Sequence, residues 1–592
     1  MCGIIGYNGV KNAIPIVING LKNLEYRGYD SSGIAYFLHD KVKIIKEKGR
    51  IKDLESILDS SKPTLCIGHT RWATHGKPSR ENSHPHQVGM ITIVHNGIIE
   101  NYASLKEKLK DEGYLFQSET DTEVACALID SLYKKNKNKL EVFEDVKKIL
   151  KGSYAFLILF ADEKDTIYAI REGSPLIVAT SSIGNFVASD IPAILEYTKN
   201  YYLLLEGEIA VIKQDSVHFF QDKKEIQKEL LTFQFDLASA KKDGYSHFML
   251  KEIHEQPTVI QNFLEYYLDN LELIPDISLY EKIHIVACGS AYHAGLIGSF
   301  LIEKYGDIEV EVFIASEYRY KKNFLNENTL VIFISQSGET ADTIACLRLA
   351  KSYQAKTLGI VNVVGSTIAR EADQVIYINA GCEIAVATTK AYTLQVLTTS
   401  LLAYKLGLKT GLIQDSEKIL SDLKKLPDEI QKILSIDYEK LAKKIYKKHD
   451  IFFIGRLLDY YLSEEGSLKL KEISYLHSET YPAGELKHGT ISLIEDKTPV
   501  IAVLTDESIY EKTISNIKEV KARGAYTIGI KRESLEVEEN IFDDVIEIAN
   551  LNDLAISPLA IVPLQMLAYT VANLLGYDID KPRNLAKSVT VE

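Results

Sequence analysis

The chain begins with the residues MCGIIGY, from Met1 to Tyr7, in which a cysteine stands directly before a short apolar run. Removal of Met1 would leave a thiol and a free α-amine together on Cys2. Because the amine has a pKa of about 8 and the thiol one of about 8.5, the amine can accept the thiol's proton and produce a nucleophile at neutral pH. We therefore predict a strand that starts at a nucleophile and holds it rigidly. The alternative is that Cys2 is only a small residue at a start site.

Short β-rich runs follow this strand and predict one layered α/β domain over residues 1–240. The predicted strands are residues 2–7, 34–38, 65–69, 90–94, 154–160, 166–171 and 208–212. Two helices are predicted, over residues 13–24 and 104–112.

Four polar clusters interrupt these runs, at residues 27–31, 69–76, 95–101 and 118–123. Each has a simpler interpretation as a turn or a cap, since Asn96-Gly97 is a hairpin signal and Thr120 or Asp121 could cap a helix that begins near Thr122. Together with Cys2 they supply what a glutamine amidohydrolase needs. An arginine would bind the substrate's α-carboxylate, an aspartate its α-ammonium, and an asparagine side chain with a glycine N–H would bind the oxyanion.

Five segments carry a resemblance to a known family: MCGIIGY, EYRGYDSSG, HTRWATHGKPS, HNGIIENY and SETDTEV. They resemble the N-terminal-nucleophile glutaminase domain, of αββα architecture, in the isomerising glutamine:fructose-6-phosphate amidotransferases. The resemblance implies a nucleophile, an oxyanion hole, a glutamine-binding set, and a gate to an ammonia channel. These are, in that order, Cys2; Asn96 and Gly97; Arg71, Asp121, Thr74 and His75; and Trp72 with Arg27.

A histidine-rich stretch invites a metal interpretation. His84 and His86 would place both rings on the same face of an extended segment. No cysteine or carboxylate completes a tetrahedral set at a usual spacing, so we predict no metal site.

The rest of the chain contains a repeat of strands and helices. Apolar strands at residues 283–287 and 330–334 recur in the same order at 451–454 and 500–504, with helical segments such as 341–353 and 463–473 between strands. This alternation predicts βαβ units and a parallel sheet in each half. Such sheets bind ligands at the carboxyl ends of their strands.

An anion cradle is predicted at residues 335–340, between an apolar strand and a helix that starts near Ala341. Backbone N–H groups, hydroxyls and the helix N-terminus would converge there on a phosphate, although a simple capped turn has the same pattern. The equivalent turn in the second half, residues 505–508, carries two acidic residues, so we place no phosphate there.

SQSGETADT, with CGSAY upstream and ATTKAYT downstream, resembles the sugar-isomerase (SIS) phosphosugar-binding domain of the same family, a flavodoxin-like parallel-sheet fold. The residues that this implies for sugar-phosphate binding are Ser290, Ser335, Gln336, Ser337, Thr340, Val386 and Thr388. Two positions depart from the family pattern. Ala291 stands where the family commonly has a serine, and Thr388 replaces another serine, which bears on affinity rather than on the class of reaction.

The second half contains the segment KLKEIS, in which Lys469 and Glu472 share a helix face at i, i+3 spacing. Such pairs are usually solvated surface pairs. The resemblance, which extends to AGELKHG at residues 483–489, implies instead that Glu472 moves a proton between C1 and C2 of the sugar, that Lys469 assists, and that His488 opens the ring.

The last ten residues, RNLAKSVTVE, would ordinarily be interpreted as a frayed tail. They match the family's C-terminal sequence, which implies that Lys587 forms a Schiff base with the open-chain ketose. Only the neutral amine of a desolvated lysine attacks a carbonyl, so we expect this tail to be ordered.

Composition agrees with a large globular enzyme of several domains. The chain has 592 residues, of which 46% are hydrophobic and 25% charged, and a net charge of −14 with dispersed basic residues, which argues against a nucleic-acid partner. Its six cysteines form no C-x-x-C pair and no apolar stretch approaches about 20 residues, so we expect a cytoplasmic protein with no membrane span.

The predicted organisation is a glutaminase domain at residues 1–240, a linker at 241–258, SIS domains at 259–435 and 436–577, and a C-terminal tail at 578–592 that closes the sugar site. The resemblance implies L-glutamine and fructose 6-phosphate as substrates, no cofactor, and a homodimer.

Rival classes lack their own signatures. An amidophosphoribosyltransferase would need a paired-acid diphosphate loop, and an asparagine synthetase would need an SGG-x-DS nucleotide loop. A phosphosugar sensor or a fructosamine-phosphate deglycase built from SIS domains would leave residues 1–240 without a role.

Overall fold

A computed structural model of the chain describes residues 2–233 and 242–590. It divides into two compact units, the first formed by Met1–Ala240 with Ala586–Glu592 and the second by Lys241–Leu585. Met1, residues 234–241, where the predicted linker begins, and the last two residues of the predicted tail lie outside the described residues.

The first unit is built from fifteen described strands and five helices. Its strands are β1 (Gly3–Gly9), β2 (Ser31–Leu38), β3 (Lys41–Lys48), β4 (Leu65–Arg71), β5 (His86–Val88), β6 (Ile91–Ile99), β7 (Gly152–Phe160), β8 (Glu163–Glu172), β9 (Ile177–Ser181), β10 (Gly184–Ala188), β11 (Asn200–Leu203), β12 (Ile209–Ile212), β13 (Val217–Gln221), β14 (Lys224–Ile226) and β15 (Leu231–Thr232). Its helices are α1 (Ala13–Asn23), α2 (Ile51–Glu55), α3 (Tyr102–Asp111), α4 (Asp121–Lys135) and α5 (Lys139–Ile149).

Two antiparallel sheets pack face to face in this unit. Their strand orders are β15-β11-β9-β10-β1-β4-β2-β3 and β14-β13-β12-β8-β7-β6-β5. Apolar side chains from both inner faces, including Ile4, Val94 and Leu157, form the core between them. Helix α1 packs on the outer face of the first sheet and α4 on that of the second. The predicted αββα layering is confirmed.

Strand β1 lies at the centre of its sheet, between β10 and β4, and Gly3 faces Thr70 across the ladder. A side chain at Gly3 would come within 2.7 Å of Thr70 and 2.8 Å of Leu24, so only glycine fits next to Cys2. Every residue of β1 is buried. The strand therefore fixes the position of Cys2 from a rigid central element, as the sequence predicts.

The second unit contains two five-stranded parallel sheets and twelve helices among its described residues. The first sheet consists of β16 (Lys282–Ala287), β17 (Glu309–Ile314), β18 (Thr329–Ser335), β19 (Lys356–Val361) and β20 (Gln374–Tyr377), and the second of β21 (Asp450–Gly455), β22 (His477–Pro482), β23 (Pro499–Leu504), β24 (Tyr526–Arg532) and β25 (Asp544–Ile548). The helices are α6 (Phe248–His254), α7 (Gln256–Asp269), α8 (Ser290–Gly306), α9 (Ala315–Tyr318), α10 (Ala341–Ser352), α11 (Thr367–Glu371), α12 (Lys390–Thr410), α13 (Ser416–Leu434), α14 (Glu439–Ile445), α15 (Leu458–Ser474), α16 (Tyr510–Lys521) and α17 (Asp553–Leu575).

The two sheets repeat one topology, with orders β17-β16-β18-β19-β20 and β22-β21-β23-β24-β25. Numbered within each half, this is the order 2-1-3-4-5 of flavodoxin-like folds, so the predicted pair of parallel-sheet domains is confirmed. We call the β16–β20 part the first half and the β21–β25 part the second half. One continuous apolar core joins the two halves, from Met249 to Ile579.

Helix α17 is apolar enough and long enough, at 23 residues, to cross a membrane by length and composition. However, 94% of its most apolar window is buried inside the second unit, where it packs against α12, α13 and α15. It is therefore a central core helix of this unit. Helix α6 lies within the predicted linker and buries Met249 and Ile253 in the same core.

Candidate active sites

Cys2 lies at the edge of the first unit's core, directly before β1. Its Sγ accepts a hydrogen bond from the backbone N–H of Trp72 at 3.3 Å. Its carbonyl oxygen accepts from Asn96 Nδ2 at 2.8 Å and from Arg27 Nε at 3.3 Å. Burial raises the pKa of the Cys2 thiol, while the Trp72 N–H and the Arg71 guanidinium act in the opposite direction. The sequence-predicted nucleophile is thus within hydrogen-bond reach of the predicted gate and oxyanion residues.

The predicted oxyanion residues lie near the end of β6. Asn96 is 5% exposed, and among the described residues its Oδ1 has no hydrogen-bond partner. Gly97 has a φ of +131°, and a Cβ there would come within 2.0 Å of the carbonyl oxygen of Ser153. Only glycine tolerates both this positive φ and this close approach of a carbonyl oxygen. Asn96-Gly97 is therefore not a hairpin turn but part of β6, from which the Asn96 side chain reaches Cys2.

Two charged residues approach the same end of the unit from different elements. Arg71 ends β4, is 3% exposed, and donates from Nη2 to the carbonyl oxygens of His75 and Gly76. Its Nη1 has no hydrogen-bond partner within residues 2–233. Asp121 begins α4, is 4% exposed, and accepts the N–H of Ile99 through Oδ2. The Arg71 guanidinium and the Asp121 carboxylate are thus buried near Cys2. These are the two charges expected to bind the α-carboxylate and the α-ammonium of glutamine.

The turn before α4 uses Thr120, rather than Asp121, as its cap. Thr120 Oγ1 accepts the N–H of Glu123, and the Glu123 carboxylate accepts from the N–H groups of Gln117 and Ser118. Thr120 and Glu123 thus satisfy the N–H groups of this turn, and the Asp121 side chain is left to bind the N–H of Ile99. The capping interpretation is therefore correct for Thr120 only.

Three of the four remaining predicted glutaminase residues lie in the loop after β4, and the fourth, Arg27, lies before β2. Trp72 is half-buried, Thr74 is exposed, and the His75 ring meets Tyr102 edge-on at 5.0 Å. Arg27 is 5% exposed and pairs with Asp190 at 2.6 Å. Burial by itself lowers the pKa of Arg27, but Asp190 outweighs it and the net shift is upward. Asp190, which the sequence reasoning missed, keeps this gate residue charged.

Four histidines form a buried stack behind the site: His69, His84, His86 and His95. The rings of His69 and His84 stack at 4.0 Å, and His69 Nε2 donates to the carbonyl oxygen of His95 at 2.9 Å. Burial lowers the pKa of all four, that of His69 to about 3. The described residues contain no group of three potential ligands that could hold a metal ion. The stack is thus a neutral support beneath Asn96.

In the second unit, the predicted phosphate loop follows β18 and precedes α10. Ser335 Oγ accepts the N–H of Gly338 at 3.0 Å and shares a hydrogen bond with Thr340 Oγ1 at 3.0 Å. Thr340 therefore does not use its side chain to cap α10, which excludes the simple capped turn. Gly338 has a φ of +64°, and a Cβ there would come within 2.0 Å of Ser366 Oγ.

This loop lies where ligands bind in such sheets. Strands β16 and β18 are neighbours, and the chain leaves them toward opposite sides of the sheet, which opens a crevice at their carboxyl ends. Ser290, the first residue of α8, follows β16, and Ser335 ends β18. Ser290 and Ser335 are far apart in sequence, but the topology brings both of these predicted phosphosugar-binding residues to one crevice.

The segment with Val386 and Thr388 is held by carboxylates that the sequence reasoning missed. Glu383, 6% exposed, accepts from Thr388 Oγ1 at 2.7 Å and from the N–H of Thr389 at 3.0 Å. The N–H of Val386 donates to the carbonyl oxygen of Asp580 at 3.0 Å. The segment is therefore anchored by hydrogen bonds at both of its predicted sugar-site residues.

Lys469 and Glu472 lie on one face of α15, as predicted, but they are not a solvated surface pair. Lys469 is fully buried, and its Nζ lies 2.6 Å from Glu472 Oε2 and 3.4 Å from Glu465 Oε1. It also donates to Ser290 Oγ at 3.1 Å. Burial lowers the pKa of Lys469, yet the two carboxylates outweigh burial and the net shift is upward. Predicted isomerase and phosphosugar residues thus meet in one buried contact.

The other two predicted isomerase residues lie elsewhere. His488 is exposed on a short 3₁₀ segment after β22, and the described residues give its ring no hydrogen-bond partner. Lys587 is half-buried within the C-terminal residues that group with the first unit. Their approach to the sugar stays a prediction.

In the second half, the turn equivalent to the predicted phosphate loop is occupied by a side chain of the protein itself. Asp459, fully buried in the first turn of α15, accepts hydrogen bonds from the N–H of Thr505 at 2.9 and 3.0 Å and from Thr505 Oγ1 at 2.5 Å. Burial raises the pKa of Asp459 to about 7. The donors after β23 therefore bind the chain's own carboxylate.

Comparisons with known proteins give matches to both units. A family model described as a glutamine amidotransferase domain matches residues 69–196, and one described as the SIS domain matches residues 277–405 and 444–573. The glutamine--fructose-6-phosphate aminotransferase (isomerizing) of Caldanaerobacter subterraneus subsp. tengcongensis is 51% identical over 610 residues, covering 100% of both chains. The enzyme of the same name from Aquifex aeolicus is 45% identical over 600 residues, again covering 100% of both.

Solved structures match the second unit. The C-terminal domain of glucosamine-fructose-6-phosphate aminotransferase from Francisella tularensis aligns with a TM-score of 0.54 and 37% identity, over 57% of this chain and 99% of that one. Tagatose-6-phosphate ketose/aldose isomerase from Escherichia coli shares the fold, with a TM-score of 0.50 and 15% identity over 57% of this chain and 95% of its own. On full-length identity, this chain belongs to the family of isomerizing glutamine--fructose-6-phosphate aminotransferases.

Proposed function

We propose that the chain converts fructose 6-phosphate and L-glutamine into glucosamine 6-phosphate and L-glutamate, the first step of hexosamine synthesis. The observation that carries this is the contact of Cys2 with Asn96 and Trp72, in a chain that also contains two SIS domains. Full-length similarity to enzymes named for this reaction supports it.

In the glutaminase reaction, the Cys2 sulfur attacks the side-chain amide carbon of glutamine and forms a thioester, with the Cys2 α-amine as base once Met1 is removed. The amide carbon–nitrogen bond breaks, and the nitrogen takes the proton from the α-amine and leaves as ammonia. The Asn96 side chain and the Gly97 N–H stabilise the oxyanion. Arg71, through its unpartnered Nη1, binds the α-carboxylate, and Asp121 binds the α-ammonium. Thr74 and His75 support the substrate. Water then hydrolyses the thioester and releases glutamate.

Ammonia passes internally to the sugar site, with Trp72 and Arg27 as the gate. Keeping ammonia away from bulk water prevents its protonation, and only neutral ammonia is nucleophilic; this is the physical reason for joining the two activities in one chain.

At the sugar site, Ser335, Gln336, Ser337 and Thr340 bind the phosphate, and Ser290, Val386 and Thr388 approach the sugar. His488 opens the ring, Lys587 forms a Schiff base with the open-chain ketose, and ammonia replaces it at C2. Glu472 then takes a proton from C1 and returns it to C2, assisted by Lys469, which completes the isomerisation. The Glu472 carboxylate, held against the Lys469 ammonium, is fixed for this transfer.

We infer the remaining organisation from the same resemblance. The glutaminase domain covers residues 1–240, the SIS domains 259–435 and 436–577, and residues 578–592 close the sugar site. The enzyme acts as a cytoplasmic homodimer and needs no cofactor.

Measuring glutamate release with and without fructose 6-phosphate, together with glucosamine 6-phosphate formation, tests this function. We expect the sugar to stimulate glutamate release, and the Cys2→Ala variant to lose glutamine-dependent synthesis entirely. A phosphosugar sensor would release no glutamate, and an uncoupled hydrolase would ignore the sugar. Intact glutamine-dependent synthesis in Cys2→Ala, or an active enzyme that retains Met1, would overturn the mechanism.

A further inference from the structure

A row of ionisable side chains crosses the boundary between the two halves of the second unit. His293 of α8 lies with Nδ1 2.8 Å from Glu465 Oε2 and with Nε2 3.7 Å from Glu464 Oε2. The other Glu465 oxygen faces Lys469 Nζ, which in turn meets Glu472. The row thus alternates carboxylates with basic groups, from Glu464 to the proposed base Glu472.

The middle of this row is removed from water. Glu465 and Lys469 are each 0% exposed, and His293 is 8% exposed. A carboxylate buried in this way is costly unless both oxygens are matched by donors or cations. Glu465 Oε2 is hydrogen-bonded to His293, while Oε1 has no hydrogen-bond partner among the described residues and is matched by the charge of Lys469 at 3.4 Å.

Because of helix geometry, α8 and α15 are joined by two neighbouring side-chain contacts. Ser290 and His293 are three residues apart on α8, while Glu465 and Lys469 are four apart on α15, so each pair lies on one helix face. Ser290 Oγ accepts from Lys469 Nζ, and His293 Nδ1 bonds Glu465. The helix that follows the phosphosugar strand is therefore fixed in register against the helix that carries Glu472.

We propose that His293 is a positioning residue of the sugar site: it holds Glu465, which holds the Lys469 ammonium beside Glu472 and Ser290. This inference rests on the proposed function. His293 does not touch the sugar. Without its hydrogen bond, one oxygen of buried Glu465 is left unmatched, and Glu465 and Lys469 rearrange together.

The test compares His293→Leu, which removes the donor, with His293→Asn, whose Nδ2 can replace Nδ1. His477→Leu is the matched control, because His477 lies in the same unit, is exposed, and pairs only with carboxylates outside this row. For His293→Leu we expect kcat of glucosamine 6-phosphate formation to fall about 10- to 100-fold, with KM for fructose 6-phosphate and basal glutamate release within about threefold of wild type. His293→Asn should recover most of kcat, and His477→Leu should match wild type.

A purely structural role gives a different pattern. If His293 only packs the helices, His293→Leu lowers the unfolding midpoint while kcat per folded enzyme stays at the wild-type value, and this outcome overturns the proposal. A kcat loss that His293→Asn fails to recover also overturns it. If the wild-type chain itself forms no glucosamine 6-phosphate, the proposed function fails instead, so the two failures are distinguishable.

Discussion

Arg71 has a structural role in the first unit and a proposed role in substrate binding. Its Nη2 holds the carbonyl oxygens of His75 and Gly76, which shapes the loop after β4, while its Nη1 is buried without a partner among the described residues. An unmatched guanidinium nitrogen is costly to bury, unless a carboxylate binds there. In the proposed function, the α-carboxylate of glutamine supplies the hydrogen bond that Arg71 Nη1 lacks.

Replacing Arg71 with glutamine should weaken glutamine binding more than catalysis. A charge-assisted hydrogen bond contributes about 1.5 to 3 kcal/mol, so we expect KM for glutamine in Arg71→Gln to rise about 10- to 100-fold. Steady-state glutamate release at varied glutamine measures this. Arg80→Gln, an exposed arginine in the same loop, is the control and should behave as wild type. An unchanged KM in Arg71→Gln would remove Arg71 from the binding site.

Helix α15 is preceded by a residue with a strained backbone. Leu457, directly before it, has φ 48° and ψ −119° and is 51% exposed. The equivalent position before α8 in the first half is Gly289, with nearly the same angles of 56° and −132°. This backbone conformation belongs to glycine, and a side chain there costs about 1 to 3 kcal/mol.

Relieving this strain should stabilise the second unit. For Leu457→Gly, the gain in backbone energy is reduced by glycine's larger entropy in the unfolded chain, which leaves a net increase of about 1 kcal/mol in the free energy of unfolding. Urea unfolding followed by far-ultraviolet circular dichroism measures it. Leu457→Ala removes the side chain but keeps Cβ, so it should show no gain. A Leu457→Gly protein less stable than Leu457→Ala would contradict the strain.

The same elements show what can be predicted from sequence. Strands buried on both faces are nearly continuous apolar runs, so β18, predicted over residues 330–334, is observed at Thr329–Ser335. Helix α5 was missed, and so were short edge strands such as β14, whose residues are mostly exposed. The Lys469–Glu472 pair on one face of α15 was predicted from its i, i+3 spacing. The His293–Glu465 contact was not, since it joins residues 172 positions apart that only the packing of α8 on α15 brings together.

At the scale of the whole molecule, the two units have separate cores and bury different ionisable groups. The first unit buries the four stacked histidines in the neutral state. Because their folded pKa values lie below the unfolded value of about 6.5, the unfolded chain binds more protons as pH falls below that value. The stability of the first unit is therefore present above about pH 6.5 and declines toward the lower folded pKa values.

Trp72 allows this decline to be measured in the first unit, because it is the only tryptophan in the chain. We expect the free energy of unfolding from urea titrations of Trp72 fluorescence to fall between pH 7 and pH 5, by about 2 kcal/mol for each histidine whose folded pKa lies well below this range, such as His69. Carboxylates add to the total, so the sharper test is the difference between variants. His86→Gln should lower the pH slope by about one histidine's share, because glutamine does not titrate. Gln87→Asn, at the exposed residue next to His86, should leave the slope unchanged because neither side chain titrates. Equal slopes in His86→Gln and wild type would mean that His86 takes up a proton as readily in the folded chain as in the unfolded chain, and the neutral stack beneath Asn96 would have to be abandoned.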